Sequence, residues 1–258
     1  MIYLYKRNTG MGRLAREMGL SVRIKLEDGH SFTDPRWRTW TVDPMINWGC
    51  GRSIVRGAES TIVLNNDISE ARSKVRTFER LAEAEIPHPR WSRSQWDLRR
   101  ALGETRSYLA RMDNASGGAR IHLVRPGEQA AENWDFYVER LSYQRELRVH
   151  VWRGEVIASQ VKVLPPGCTN FVHSYDYGCT FSQDTARWGV EPETLRDAQD
   201  LAVRAVAAVG LDFGAVDLML TRRGRLYVLE VNSAPGIRCE YIKAAYRGVL
   251  EPMQRRRS

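Results

Sequence analysis

The amino-acid sequence predicts an α+β fold. Residues 146–164 read as one β-hairpin, and the segments GAVDLML and RLYVLEVN near the C-terminus read as a second. Amphipathic helices lie apart from these hairpins, and strands and helices do not follow one another in a regular series. Hairpin-built sheets with helices packed beside them are typical of the α+β class.

Composition limits the functional classes. The chain has 258 residues, of which 43% are hydrophobic and 27% charged, so it can bury a substantial core. No run of about 18 apolar residues predicts a membrane span, and the short apolar start does not resemble a signal peptide. Four scattered cysteines without a C-x-x-C pair argue against structural zinc. The net charge of +8 favours anionic partners, including nucleotide phosphates.

Residues 1–65 are interpreted as a small N-terminal unit. MIYLYK and SVRIKL predict strands, with a short helix between them. Gly10–Ala15 reads GMGRLA, which fits a dinucleotide fingerprint. The second strand follows so closely that the intervening helix must be short, which favours a tight turn in a reduced Rossmann-like lobe over a dinucleotide site.

Two later segments predict helices. Ala71, Val75, Phe78 and Ala82 have helical spacing, Asp67 and Glu70 fit a capping box, and prolines end the helix. Lys74 is expected on its polar side. The second helix starts near Pro192, carries a buried stripe and stops at Gly210; the stripe comprises Leu195, Ala198, Ala202, Ala205, Val206 and Val209.

Between these helices the sequence predicts short strands and turns. Residues 107–113 and 135–141 read as strands, and Arg153-Gly154 fits a two-residue turn in the hairpin of residues 146–164. A Ser-Gly-Gly loop at Ser116, Gly117 and Gly118 follows the first of the two strands.

The C-terminal hairpin contains the most informative pattern. If Arg223-Gly224 is its turn, Asp217 lies opposite Glu230, with Asn232 on the same face. That register puts Leu226 and Val228 on the same face as the carboxylates and Tyr227 on the other. Two opposed, buried carboxylates repel, and a hard divalent cation would resolve the conflict, because carboxylate and amide oxygens are ligands for Mg²⁺. A salt bridge from a nearby arginine to each acid is an equally open alternative.

These residues resemble the C-terminal signature of ATP-grasp enzymes, most closely the ribosomal-protein S6 glutamate ligase branch, and compact members associated with bacteriophages. The resemblance covers about Lys74 to Ile237 and implies two α+β lobes gripping ATP, preceded by the reduced N-terminal lobe. The implied ATP-grasp domain is 66–258, with a small nucleotide lobe at about 91–141 and a large metal-binding lobe at about 142–250.

The resemblance also implies roles for individual residues. Asp217, Glu230 and Asn232 would hold Mg²⁺, with Mn²⁺ as an alternative ion. Glu139 and the backbone at Leu141 would contact adenine, and Glu146 the ribose. The implied phosphate contacts are Lys74, Arg111, Ser116, Gly117 and Gly118, and the implied catalytic residues are Arg148 and Lys162. Arg111 stands where the family usually has Lys. This replacement retains the positive charge and allows bidentate hydrogen bonds to phosphate.

The implied activity is ATP-dependent joining of a carboxylate to an amine through an acylphosphate, in the cytoplasm, or in the host cytoplasm if the gene is carried by a phage. The amine would belong to an amino acid, a peptide or a protein tail. Asn170, His173 and Arg238 are candidates for substrate contacts without assigned roles, and His150 is expected to be a packed side chain. Two alternatives stay open: an ATP-grasp phosphotransferase, and a non-catalytic protein that binds nucleic acid or an acidic partner, with nucleic acid not favoured.

Overall fold

The computed structural model describes residues 2–4, 10–20, 22–24, 45–50, 63–113, 115, 120–131, 133–168, 172–173 and 177–255. The predicted loop residues Ser116, Gly117 and Gly118, and the substrate candidate Asn170, lie outside these ranges. Among the described residues, no helix has both the length and the hydrophobicity needed to cross a bilayer.

The N-terminal part forms a parallel sheet with the strand order β2-β1-β3-β4. Its elements are β1 (Ile2–Leu4), α1 (Gly10–Glu17), β2 (Val22–Ile24), β3 (Met45–Trp48) and β4 (Val63–Leu64). The strand–helix–strand unit at its start agrees with the sequence prediction, whereas β3 and β4 were not predicted. Their short lengths give too few residues for a periodic signal.

The glycine at the start of α1 has a packing role. A Cβ placed on Gly10 would lie 1.9 Å from the carbonyl oxygen of Ile237, so the helix start is pressed against the C-terminal part of the chain. This contact accounts for the first glycine of GMGRLA by close packing, in agreement with the preferred interpretation of the segment as a tight turn.

The region between residues 69 and 83 contains two helices rather than the single predicted one. They are α2 (Ser69–Arg72) and α3 (Lys74–Glu83). Ser73 separates them in an extended conformation, and its hydroxyl caps α3 by accepting a hydrogen bond from the Arg76 amide. The predicted capping box is wrong, because Asp67 accepts a hydrogen bond from Ser69 instead. The break makes Lys74 the first residue of α3.

A second, antiparallel sheet has the order β5-β8-β6-β7. Its elements are β5 (Trp91–Ser92), α4 (Gln95–Leu102), β6 (Tyr108–Arg111), β7 (Ile121–Val124) and β8 (Phe136–Glu139). Helix α4 covers one face through Leu98, which packs with Tyr108 and Tyr137. The opposite face carries Arg111 and packs Phe136 against Phe78 of α3.

The largest sheet is antiparallel, with the order β11-β10-β9-β12-β13. Its strands are β9 (Tyr143–Trp152), β10 (Glu155–Val163), β11 (Thr180–Ser182), β12 (Phe213–Thr221) and β13 (Leu226–Asn232), flanked by α5 (Pro192–Ala208) and α6 (Glu240–Arg255). Arg153 and Gly154 form the predicted turn, both with positive φ, at 51° and 84°. Helix α6 was not predicted.

The two faces of this sheet differ in chemistry. Helix α5 packs its predicted stripe on one face, where Ala198, Ala202 and Ala205 are fully buried against strand residues such as Val149 and Val216. The other face is polar at its centre. At one end it is closed by an aromatic cluster of Trp48, Trp152, Phe213 and Tyr246. A sheet with one apolar and one polar face can present charged side chains to a cleft.

In the C-terminal hairpin Asp217 pairs with Glu230 as predicted, but the turn differs from the predicted one. Leu220 pairs with Leu226, so the connection is one residue longer than the predicted turn, and a bulge at Leu229 restores the register so that Asp217 faces Glu230. The predicted faces near the turn are wrong for the same reason. Val228 packs in the core with α5, whereas Tyr227 shares the polar face with Met219.

We expect Gly10→Ala to destabilise the protein by about 1–3 kcal/mol, because the added methyl group meets the backbone of Ile237. Gly248→Ala in α6 is the matched control. Its Cβ would have open space, and alanine should stabilise that helix by about 0.5–1 kcal/mol. Urea unfolding of both variants measures the effects, and equal behaviour at the two positions would contradict the packing contact.

Candidate active site on the polar face of the large sheet

Strand pairing aligns four polar side chains in one row across the large sheet. Gln160 pairs with Arg148, Arg148 with Asp217, and Asp217 with Glu230. Directly paired residues of antiparallel strands project from the same face. The row therefore places one cation between an amide and two carboxylates, on the face opposite α5.

Parallel rows lie on either side. Glu146 pairs with Met219, which pairs with Tyr227, and Lys162 pairs with Phe181 at the other edge. On the opposite side, His150 pairs with Ala215, which pairs with Asn232. The predicted residues of the hairpins thus occupy a single surface. Asn232 lies one row away from Asp217, on the same face.

Asp217 is held by a buried, bidentate ion pair. Nε of Arg148 donates to Oδ1 at 2.6 Å, and Nη2 donates to Oδ2 at 2.7 Å. Burial would raise the pKa of Asp217, but the guanidinium outweighs burial and holds this pKa below its usual value. The ring of Phe181 covers the guanidinium at 4.6 Å. The salt-bridge alternative is therefore correct for Asp217.

Glu230 is different. Among the described residues, no lysine, arginine or histidine nitrogen lies within 4.0 Å of its carboxylate. The salt-bridge alternative is therefore wrong for Glu230. The neighbouring Asn232 has a buried side-chain nitrogen without a hydrogen-bond partner. A half-buried carboxylate and an unsatisfied amide, side by side, are groups available for a ligand.

Lys74 and Arg111 lie within the electrostatic influence of Glu230. Burial lowers the pKa of each cation, and the negative charge of Glu230 partly opposes that effect in both. Lys74 Nζ donates to the carbonyl oxygens of Asp113, at 3.1 Å, and Ala115. Nε of Arg111 is buried without a partner. Two cations from outside the large sheet, one on α3 and one on β6, thus interact electrostatically with the unpaired carboxylate. Their contact with phosphate stays a prediction.

Glu146 and Lys162 are paired with each other rather than presented as separate groups. Nζ of Lys162 donates to Oε1 of Glu146 and also to the carbonyl oxygen of His173, at 3.0 Å. Nδ1 of His173 lies 3.5 Å from the other carboxylate oxygen of Glu146. Any contact of Glu146 with ribose, or of Lys162 with phosphate, must share or replace this buried pair.

The predicted adenine contacts lie at the junction of β8 and β9. The carboxylate of Glu139 is 3.9 Å from Arg106 Nη2. Glu139 pairs with Tyr108, whose side chain packs under α4. Its carboxylate is therefore turned away from the face that carries Arg111. Leu141 lies in the segment that joins β8 to β9, and the adenine contacts of both residues stay predictions.

His150 is fully buried, as expected for a packed histidine, with an exposed fraction of 0%. Burial and then the charge of Arg148 lower its pKa to about 3, so the ring is neutral. Burial also raises the pKa of Tyr246, whose hydroxyl therefore keeps its proton. This hydroxyl and Nδ1 of His150 share a hydrogen bond of 3.1 Å, and the tautomer of the ring decides which group donates. This contact joins the floor of the site to α6.

Sequence reasoning missed several residues of this surface. Gln160 could have been found, because it lies two positions before Lys162 on a predicted strand. Phe181 lies in an irregular stretch with no periodic signal, and Met219 and Tyr227 read as ordinary apolar strand residues. Tyr246 was missed together with its helix.

The comparisons with known proteins agree with this architecture. The chain aligns with the ATP-grasp ligase PsnB complexed with minimal precursor, Mg and ADP, with a TM-score of 0.64 and 15% identity over 98% of this chain and 96% of that one. It aligns with a D-alanine–D-alanine ligase from Bacillus anthracis complexed with ATP, with a TM-score of 0.65 and 13% identity over 99% and 97%. The chain therefore has the ATP-grasp fold.

Part of the chain is also similar in sequence to D-alanine–D-alanine ligases. Residues 128–242 match the family model for the C-terminus of D-ala D-ala ligase. D-alanine–D-alanine ligase of Pseudomonas putida (strain GB-1) is 29% identical over 184 residues, which cover 65% of this chain and 56% of the relative. The corresponding protein of Chromohalobacter salexigens is 34% identical over 104 residues, covering 38% and 31%. The chain thus spans about half the length, or less, of these curated relatives.

We expect the buried neutral His150 to make stability depend on pH. The unfolded chain binds a proton below about 6.5 and the folded chain only below about 3. Its contribution is therefore complete above pH 6.5 and is lost as the pH falls, by at most about 1.4 kcal/mol per pH unit. Urea unfolding at pH 7 and pH 5 should show a smaller loss for His150→Gln than for wild type.

The control is His122→Gln, because His122 is exposed on β7. This variant should keep the wild-type pH dependence. Identical slopes for wild type and His150→Gln would show that the buried ring does not contribute to the pH dependence.

Proposed function

We propose that the protein is an ATP- and Mg²⁺-dependent ligase that joins a carboxylate to an amine through an acylphosphate. The observation that carries this proposal is the environment of Glu230. This carboxylate has no cation in contact among the described residues, adjoins Asp217 and Asn232, and interacts electrostatically with Lys74 and Arg111. The ATP-grasp fold and the ligases with which it aligns support the same reading.

The donor set fits a small divalent cation bound together with phosphate. Glu230 and Asn232 have no side-chain hydrogen bond or ion pair within the described part of the chain. Asp217 keeps acceptor capacity, because a carboxylate has about four lone-pair sites and Arg148 uses two. Three protein oxygens are too few for a complete shell, and Mg²⁺ typically completes such a shell with water and substrate phosphates. When bound, the ion would neutralise charge on the transferring phosphoryl group.

The chain's own residues would position and neutralise the reactants. The substrate carboxylate attacks the γ-phosphorus of ATP and ADP leaves; the amine then attacks the acyl carbon, loses a proton and displaces phosphate. Lys74 and Arg111 would bind phosphate oxygens. Nε of Arg111 is a buried donor that has no hydrogen-bond partner among the described residues. Such preorganised cations can stabilise the negative charge that is shared among the equatorial oxygens.

The two predicted catalytic residues, Arg148 and Lys162, have different contacts. Arg148 is committed to Asp217, so we assign it the role of holding that carboxylate in place rather than binding phosphate. Lys162 is committed to Glu146 and to the backbone at His173, and it would reach a phosphate only by leaving that pair. We therefore propose Lys74 and Arg111 as the principal phosphate-binding cations.

The substrates belong to the finer part of the proposal. The relatives are named D-alanine–D-alanine ligases, and PsnB is described in complex with a precursor peptide. We propose that the amine belongs to an amino acid or a peptide. We also propose that the protein acts in the cytoplasm, where ATP is available. The assignment to the S6 glutamate ligase branch is likewise a proposal, supported by the order of motifs between Lys74 and Ile237.

We expect Glu230→Gln to weaken Mg²⁺-dependent nucleotide binding. Saturating Mg·ATP at about 100 times Kd should stabilise wild type by about 2.7 kcal/mol, whereas Glu230→Gln should respond much less and lose most of its dependence on Mg²⁺. Thermal unfolding with ATP, with and without Mg²⁺, measures this. Glu155→Gln, which changes an exposed carboxylate at the start of β10, should behave as wild type.

Turnover tests the reaction class. ADP release measured across a panel of amino acids, with mass spectrometry of products, should require an amine and yield adducts that have lost one water. Phosphorylated product without an amine requirement would instead indicate a phosphotransferase. The absence of any nucleotide-induced shift would contradict the whole proposal.

A further inference from the structure

A cavity of about 290 Å³ lies at the junction between the two antiparallel sheets. It is lined by the end of α4 and the residues after it, by the segment that joins β8 to β9, and by the turn between β12 and β13. Five lining residues are arginines, namely Arg90, Arg106, Arg140, Arg223 and Arg225. The described lining residues include no lysine, and Glu139 is the single carboxylate among them.

These arginines are poorly neutralised. Arg106 lies 3.9 Å from Glu139, and Arg90 donates one hydrogen bond to the carbonyl oxygen of Ala101. Arg140, Arg223 and Arg225 have no carboxylate within 4.0 Å among the described residues. Four positive charges in excess around one cavity repel each other, and a bound anion would relieve that repulsion.

Arginines elsewhere on the described surface show the contrast. Many of them pair with acidic side chains, as in Arg76–Glu70, Arg80–Glu83, Arg93–Glu79, Arg99–Glu104, Arg125–Glu128 and Arg247–Glu17. Other described arginines, such as Arg120, Arg153 and Arg222, also have no described carboxylate within 4.0 Å. The cavity differs from them because five arginines line one concave space with a single described carboxylate.

The lining also indicates the chemistry of the occupant. Guanidinium groups form paired hydrogen bonds with the oxygens of carboxylates and phosphates, which an ammonium group does not. Leu102, Leu141 and Tyr227 add apolar wall. The volume suits a small molecule or a single side chain rather than an extended chain.

The cavity is separate from the triphosphate-binding residues. Its lining includes none of Lys74, Arg111, Asp217, Glu230 or Asn232. Glu139, which contributes the carboxylate, is turned towards the α4 face of its sheet. The arginines come from both sides of the junction, because Arg90 and Arg106 belong to the small lobe and Arg223 and Arg225 to the large one.

We propose that this junction cavity is a second binding site, for a small multivalent oxyanion that carries phosphate or carboxylate groups. The anion bridges arginines on both sides of the junction and lies apart from the triphosphate-binding residues. Glu139 and Leu141, the predicted adenine contacts, also line the cavity, so the site adjoins the adenine end of the nucleotide cleft. The proposal does not depend on the ligase reaction, because it concerns binding at arginines that have no assigned role in that reaction.

Calorimetric titration at low ionic strength tests the site, with pyrophosphate as the phosphate probe and citrate as the carboxylate probe. Wild type should bind at least one probe saturably. Arg223→Ser/Arg225→Ser should bind it about tenfold more weakly or worse, as expected for the loss of two charged hydrogen-bonding groups. Arg222→Ser, in the same turn but outside the lining, should bind as wild type.

The outcomes separate this site from the cleft. Because Lys74 and Arg111 would also bind pyrophosphate, the titrations are repeated with saturating Mg·ADP in the nucleotide cleft. Probe binding that depends on Arg223 and Arg225 should persist, and its disappearance when the cleft is occupied would place the anion in the cleft and overturn the proposal. Equal binding by wild type and the double variant, or no saturable binding by wild type, would also overturn it. Tighter binding of pyrophosphate supports a phosphorylated ligand, and tighter binding of citrate supports a polycarboxylate.

A second measurement requires no ligand. Relief of repulsion predicts that Arg223→Ser/Arg225→Ser raises the melting temperature at low salt, whereas Arg222→Ser does not. Added salt should remove the difference, because screening weakens the repulsion in wild type. A double variant that melts at or below the wild-type temperature at low salt would contradict the convergence of unpaired charges.

Discussion

The buried ion pair between Arg148 and Asp217 determines how charge is distributed over the site. Both partners are largely removed from water, an arrangement that is tolerated when geometry is bidentate and the remaining contacts are favourable. Without Arg148, two adjacent carboxylates would face the cleft and repel. With it, Asp217 is compensated from within the sheet, and Glu230 carries the negative charge that interacts with Lys74 and Arg111.

The fold makes this distribution possible by giving the large sheet two different faces. Helix α5 covers one face with small and branched side chains, which leaves the other for polar rows set by antiparallel register. Ser73 interrupts the preceding helix, so that Lys74 starts α3 and reaches the carbonyl oxygens of Asp113 and Ala115. Small backbone features, a cap and a bulge, thus place charges that lie far apart in the sequence.

Much of the sheet could be predicted from the sequence, because strand alternation is a strong local signal. The turn at Arg153-Gly154, the buried stripe of α5 and the pairing of Asp217 with Glu230 followed from it. The predicted pairing of Asp217 with Glu230 is correct although the assumed two-residue turn is wrong, because the longer turn and the bulge at Leu229 offset each other. No local pattern reveals two compensating irregularities, and the faces of Tyr227 and Val228 were therefore predicted wrongly.

Partner choice was less predictable than position. The family resemblance predicted that Arg148, Glu146 and Lys162 lie in one site. Which of these side chains form ion pairs depends on which strands are neighbours in the sheet. Arg148 reaches Asp217 because β9 lies beside β12, and Lys162 reaches Glu146 because β10 lies on the other side of β9. The arginines of the junction cavity come from four separate segments, so no linear motif could have identified them.

The most direct test of the central claim is the location of a divalent cation relative to Glu230. A crystal of the protein grown with Mn²⁺ and ADP, measured for anomalous scattering, should show a peak at about 2 Å from oxygens of Glu230 and Asn232, with the Arg148–Asp217 pair intact. A nucleotide bound without such a peak, or a peak located away from Glu230, would contradict the account.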